Sequence, residues 1–145
     1  MHDPALMSLL DGFDAQTYLR ALIAVVKIDG VKPIERSYIE ARAKVLGADT
    51  AALWEEDFTD FPALDEDVSE VTRRVIVRDS ILMGCIDGDY SDNERAWVHR
   101  VAAWLGVDVE ACDRLEDWLR RYFDLMDEQE MLLSGFDPPF GDPRG

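Results

Sequence analysis

The sequence predicts an all-α domain of about seven helices, built from two related helix–turn–helix halves. Three observations carry that prediction. Apolar residues recur at three- and four-residue spacing, and no segment alternates polar and apolar residues as a strand would. The periodic segments open on Asp, Ser or Pro and close on Gly, which is how helices start and stop. One pattern also occurs twice. Ile28-Asp29-Gly30-Val31-Lys32-Pro33-Ile34-Glu35-Arg36 is echoed by Ile86-Asp87-Gly88-Asp89-Tyr90-Ser91-Asp92-Asn93-Glu94-Arg95, the second turn being one residue longer. Leu46-Gly47-Ala48-Asp49 is likewise echoed by Leu105-Gly106-Val107-Asp108.

Each element has a local reason. A short first helix is expected over Pro4 to Leu10, with Pro4 suited to its first position. Asp14 can cap the next, which runs to about Ile28 with Tyr18, Leu22, Val25 and Val26 on its apolar face. Gly30 is placed to end it. Pro33 begins a third helix, whose expected buried face holds Ile34, Tyr38, Ile39, Ala43, Val45 and Leu46, and Gly47 stops it. Asp49 or Thr50 opens a shorter helix with Leu53 and Trp54 inward. Asp65 or Asp67 opens a long fifth helix to about Ile86, with Val68, Val71, Val75, Leu82 and Ile86 along one side. Ser91 and Glu94 have capping-box spacing at the start of a sixth, which carries Trp97, Val98, Val101, Ala102, Trp104 and Leu105. Asp108 caps the last, patterned as Val109, Cys112, Leu115, Trp118, Leu119, Tyr122, Phe123 and Met126. A single domain over residues 1–134 is followed by a Pro- and Gly-rich tail, 135–145, that cannot be helical.

Composition narrows the function. The 145 residues hold 31 acidic against 15 basic side chains, a formal charge of −16. Such a field repels nucleic-acid backbones and anionic membranes, and favours cations or a protein partner with a basic surface. Met1-His2-Asp3-Pro4 opens no signal-peptide pattern, and the apolar run Ala21 to Val26 is too short to span a bilayer. A cytoplasmic protein without membrane insertion is expected. Cys85 and Cys112 lie inside predicted helices without paired spacing and read as buried, reduced thiols. Arg73, Arg74 and Arg78 form a dense cationic patch whose expected role is to neutralise nearby acidic surface.

The doubled pattern resembles the TerB-like family, which includes the tellurite-resistance TerB proteins and the N-terminal region of the DjlA co-chaperones. The residues that carry it are Ala24 to Gly30 with Glu35 and Arg36, and Cys85 to Asp89 with Ser91, Glu94 and Arg95. The resemblance covers about Leu19 to Leu119. It implies a compact acidic helical fold whose two Asp-Gly turns lie close together. It also implies a bacterial protein tied to stress response or to protein complexes near the membrane, and acidic turn residues that are candidate ligands of a divalent cation. The first turn departs from the pattern by its shorter length and by Lys32.

The turns themselves carry the chemistry. Asp29 and Asp87 each stand at the C-terminal end of a predicted helix, where free carbonyls already present negative charge and a carboxylate is unfavourable. Either each Asp accepts bonds from its own turn's N–H groups, or each helps to hold a cation. The second turn places Asp87, Asp89, Asp92 and Glu94 within eight residues. Asp87, Asp89 and Ser91 match the opening spacing of an EF-hand, but Asp92 stands where Gly is needed and Val98 where Glu is needed, so a standard EF-hand is excluded. The candidate metal ligands are Asp87, Asp89 and Glu94 with Asp29, and the candidate ion is Ca²⁺ or Mg²⁺.

No catalytic residue is assigned. No nucleophile has a base near it, His2 stands at the chain end, and His99 is isolated on a helix. The expected function is a non-catalytic acidic binding module of the TerB-like type, acting through a protein partner and a divalent cation. The alternative is an acidic mimic of DNA that occupies a nucleic-acid-binding protein. Its centre would be the strip from Glu55 to Glu70, with eight acidic residues and no basic one. A solvated linker pinned by Phe58 and Phe61 is the plainer reading of that strip.

Overall fold

A computed structural model of the protein describes residues 12–86 and 90–135. The predicted helix over Pro4 to Leu10 and the tail beyond Gly135 lie outside these residues. Helix is the only regular secondary structure among the described residues, with no strand. Its six helices are α1 (Ala15–Asp29), α2 (Pro33–Leu46), α3 (Ala51–Glu55), α4 (Glu70–Cys85), α5 (Asp92–Leu105) and α6 (Val109–Ser134).

The two halves repeat down to their hydrogen bonds. α2 ends with Gly47 left-handed at φ 69°, its N–H directed to the carbonyls of Ala43 and Lys44. α5 ends with Gly106 at φ 71°, its N–H directed to Ala102 and Ala103. The next residue closes the same wider ring in each half, Ala48 N–H to Ala43 and Val107 N–H to Ala102, both at 2.9 Å. This Schellman geometry needs a left-handed residue, which explains a glycine at both places. Three of the predicted N-caps are present, at Asp14, Ser91 and Asp108, whose side chains accept from the N–H groups of Thr17, Glu94 and Ala111.

α4 is the centre of the bundle, packing on α1, α5 and α6. Residues are therefore buried around most of its circumference, from Thr72 through Ile76, Val77 and Ile81 to Met83, where the periodicity had suggested one apolar side. Its start also differs from expectation. The cap is Ser69, later than Asp65 or Asp67, because Ser69 Oγ and Thr72 Oγ1 both donate to the carbonyl of Gly12, at 2.7 and 3.2 Å. Asp14 N–H donates in turn to Thr72 Oγ1. These bonds fix the register of α4 against the entry to α1.

α2 is an edge helix whose main neighbour is α1, so only Ile39 and Ala43, one turn apart, are buried. Ile34 and Val45, assigned above to its buried face, are 44% and 57% exposed. In α3 the hydroxyl of Thr50 bonds Glu40 rather than capping the helix, and Asp49 accepts from Ala51 N–H. The Trp54 indole also donates to Glu40, tying α3 to α2.

The acidic strip is held at several points. Phe61 stacks on Trp104 with ring centroids 4.7 Å apart and tilts onto Trp97 at 5.4 Å, while the Trp104 indole donates to the carbonyl of Pro62. Lys27 reaches the carbonyls of Trp54 and Glu56, and Arg20 pairs with the Glu56 carboxylate. The cationic patch behaves differently from expectation at Arg73, which donates to the carbonyls of Asp65, Val68 and Leu105. Arg74 pairs with Glu70 and Arg78 with Asp79.

Asp79 is fully buried in the middle of α4. The hydroxyl of Tyr18, from α1 and also fully buried, donates to one carboxylate oxygen. Nε of Arg78 donates to the other at 3.0 Å. Burial, then the Asp79 charge, holds the Tyr18 phenol far above its ordinary value, so it stays a donor.

Candidate cation site between the two turns

The ends of four helices meet around a small cavity. α1 delivers Asp29 at its last residue. Gly30 then takes φ 101°, a backbone open to glycine and strained for other residues, and the chain turns into α2 at Pro33. Glu35 reaches back to accept from Lys32 N–H at 3.0 Å, half of a capping box. On the opposite side α4 ends at Cys85 and α5 is capped by Ser91, whose Oγ accepts from Glu94 N–H at 3.2 Å.

The enclosed volume is about 40 Å³, room for an ion or one or two waters. Asp29, Lys32 and Glu35 of the first turn line it together with Glu94 of the second. Val25, Met83 and Val98 form apolar wall, and Ser80 adds a hydroxyl. Three carboxylates and one ammonium leave a formal excess of negative charge. The donors are all oxygen, the chemistry that Ca²⁺ and Mg²⁺ require.

Gly84 makes this geometry possible. A Cβ there would lie 2.8 Å from Glu94 Oε2 and 3.1 Å from the Tyr90 ring. The bare backbone of α4 is thus the surface against which the Glu94 carboxylate rests. Alanine normally stabilises a helix over glycine by up to about 1 kcal/mol. Overpacking costs about 1–3 kcal/mol, so Gly84→Ala is expected to destabilise the domain by about 1 kcal/mol, read from the urea midpoint. A stabilised variant would show that Glu94 and Tyr90 move away freely.

Of the four predicted ligands, Asp29 and Glu94 therefore line one cavity, although they come from different halves of the chain. Asp87 and Asp89 lie outside the described residues. Among the described residues no three His, Cys, Asp or Glu side chains converge closely enough to hold a metal ion. Glu35 and Gly84 were missed as site residues. Glu35 had a visible signal in its place within the repeated pattern. Gly84 had none, since its role depends on a side chain from the next helix.

Behind the second turn a separate network clamps α5 to α6. Tyr90 Oη donates to Glu116 at 3.0 Å, and Arg95 lies 3.4 Å from both Glu116 and Asp113. His99 Nε2 is 3.3 Å from Asp113 Oδ1, without hydrogen-bond geometry. Burial, reinforced by Asp113 and Glu116, pushes the Cys112 thiol up to about 11, so it is protonated and unreactive at neutral pH. Cys85 is half-buried rather than buried as expected.

No family model, curated protein or solved structure matches this chain. No helix among the described residues is long and apolar enough to cross a membrane.

Proposed function

We propose that this chain is a non-catalytic, TerB-like binding module in which a divalent cation, Ca²⁺ or Mg²⁺, bridges the two Asp-Gly turns and sets the surface offered to a protein partner. The observation that carries this reading is the shared cavity, with Asp29 and Glu35 from one half and Glu94 from the other. An ion there would offset the Asp29 carboxylate at the end of α1, which helix carbonyls alone disfavour. Lys32 supplies one positive charge at the cavity, keeping the site weaker than an all-carboxylate cage.

The partner surface is acidic and selects a basic protein face. A bacterial stress or tellurite-resistance setting is the one this reading places it in, in the cytoplasm. The DNA-mimic alternative is less well supported, because the strip from Glu55 to Glu70 is pinned through Phe61, Pro62 and Glu56, with the Glu56 carboxylate already paired to Arg20.

Thermal denaturation at constant ionic strength tests the cation. A hundredfold excess over Kd stabilises by about 2.7 kcal/mol, a rise in Tm of roughly 5–10 °C for a domain of this size. An unchanged midpoint in Ca²⁺, Mg²⁺ and chelator removes the cation from the proposal.

A further inference from the structure

α2 differs in charge from the rest of this acidic chain. From Lys32 to Leu46 the sequence holds four basic residues, Lys32, Arg36, Arg42 and Lys44, against two acidic ones, Glu35 and Glu40, whereas the whole chain holds 15 against 31. Elsewhere arginines find carboxylates readily, as Arg74 does at Glu70 and Arg114 at Glu110. Among the described residues Arg36, Arg42 and Lys44 form no ion pair. Arg36 lies over the Trp54 ring at 4.5 Å and Arg42 over the Tyr38 ring at 4.8 Å. Arg42 Nη2 donates to the Tyr38 hydroxyl at 2.9 Å, but its Nε is buried without an acceptor.

The carboxylates on and just after the helix are engaged. Glu35 turns back to accept from Lys32 N–H, Glu40 takes the Thr50 hydroxyl and the Trp54 indole, and Asp49 takes Ala51 N–H. Ile34, Ser37, Ala41 and Val45, at spacings of three and four, form one stripe opposite the buried Ile39 and Ala43. None of the four is charged, and Ile34 and Val45 are 44% and 57% exposed. By helical spacing Lys44 borders the stripe on one side and Arg42, with Tyr38, on the other. Ser37 and Ala41 are exposed too, and their small side chains let another helix approach closely.

We propose that this stripe docks an amphipathic helix of a protein partner whose apolar side chains are flanked by Asp or Glu. Charge complementarity selects that occupant. The stripe covers the partner's apolar side chains, while Lys44 and Arg42 meet its carboxylates from either side. A carboxylate at Arg42 gives the guanidinium the ionic acceptor it lacks within the chain. The helix dipole accounts for Lys44 in the last turn, but not for the exposed apolar stripe beside it. A basic protein face is repelled here, so this surface is distinct from the acidic ones that such a face would meet, and it needs no bound cation. One short helix face falls below the ~1,200–2,000 Å² of stable interfaces, so a dissociation constant of about 100 μM is expected.

Fluorescence anisotropy of a labelled amphipathic helical peptide of Leu, Ala and Glu, titrated with the full chain, tests the proposal. Saturable binding is expected, weakened by added salt and weakened at least about tenfold by Lys44→Glu, which sets like charges together. Val45→Gln, at an exposed position and with unchanged circular dichroism, is expected to weaken it about tenfold. The same peptide with Lys in place of Glu is expected to bind elsewhere on this acidic chain and to be indifferent to Val45→Gln. No saturable binding of the Glu peptide up to about 1 mM, binding that both substitutions leave unchanged, or an equal loss of the Lys peptide in Val45→Gln would each overturn the proposal. So would a rise of the chain's mass with concentration that Val45→Gln abolishes, which gives the face to a second copy.

Discussion

Asp79→Ala is expected to destabilise the domain by about 3–5 kcal/mol, a large share of the 5–15 kcal/mol that typically holds a domain folded. The substitution leaves the Tyr18 hydroxyl, fully buried in α1, without its acceptor, and removes the carboxylate that pairs with Arg78. An unsatisfied buried donor is costlier than a bond that was never made. Tyr18→Phe should therefore cost less, about 1–2 kcal/mol. The double variant Tyr18→Phe with Asp79→Ala should fall short of the sum, because the hydroxyl left stranded by the second change has been removed by the first. Urea denaturation of the three variants gives the comparison. Strict additivity would mean that the pair does not act as a unit.

The second large effect is expected at Phe61. Its ring lies between the acidic strip and α5, stacked on Trp104 at an interplanar angle of 10°. Phe61→Ala removes that stack and loosens the segment that carries Pro62, whose carbonyl takes the Trp104 indole. Full burial of a Phe is worth about 3–5 kcal/mol on truncation. Phe61 is half-buried, so about 2–3 kcal/mol is expected, with a red shift in tryptophan emission as Trp97 and Trp104 meet water. A loss under about 0.5 kcal/mol would show that the strip is a free linker.

What the sequence disclosed, and what it hid, divides by the range of the interaction. Asp14, Pro33, Gly47, Gly106 and Asp108 were readable as helix ends because a cap is satisfied within four or five residues of itself. Ser69 was not, since its hydroxyl answers to Gly12, far away in the chain. The inward side chains of α1 were predicted correctly because that helix is buried around much of its surface. Those of α2 and α6 were overstated. Periodicity marks an apolar face but says nothing of whether a neighbour covers it, and Val45, Val109, Trp118 and Met126 stand exposed. Asp79, between Arg78 and Ser80, gave no local sign of its burial, although a buried carboxylate calls for a donor. At the site, the repeat located both turns, and Asp29 and Glu94 do share a cavity. The Gly84 contact with Glu94 belongs to tertiary packing alone.

Titration calorimetry of Ca²⁺ and of Mg²⁺ into the wild-type protein and into Asp29→Asn tests the bridging of the two halves most directly. A saturable heat for one ion in the wild type is expected, weakened about tenfold or more by Asp29→Asn, a loss of about 1.4 kcal/mol. Binding of equal strength in the two proteins, or no binding to either, would contradict a cation held between the turns.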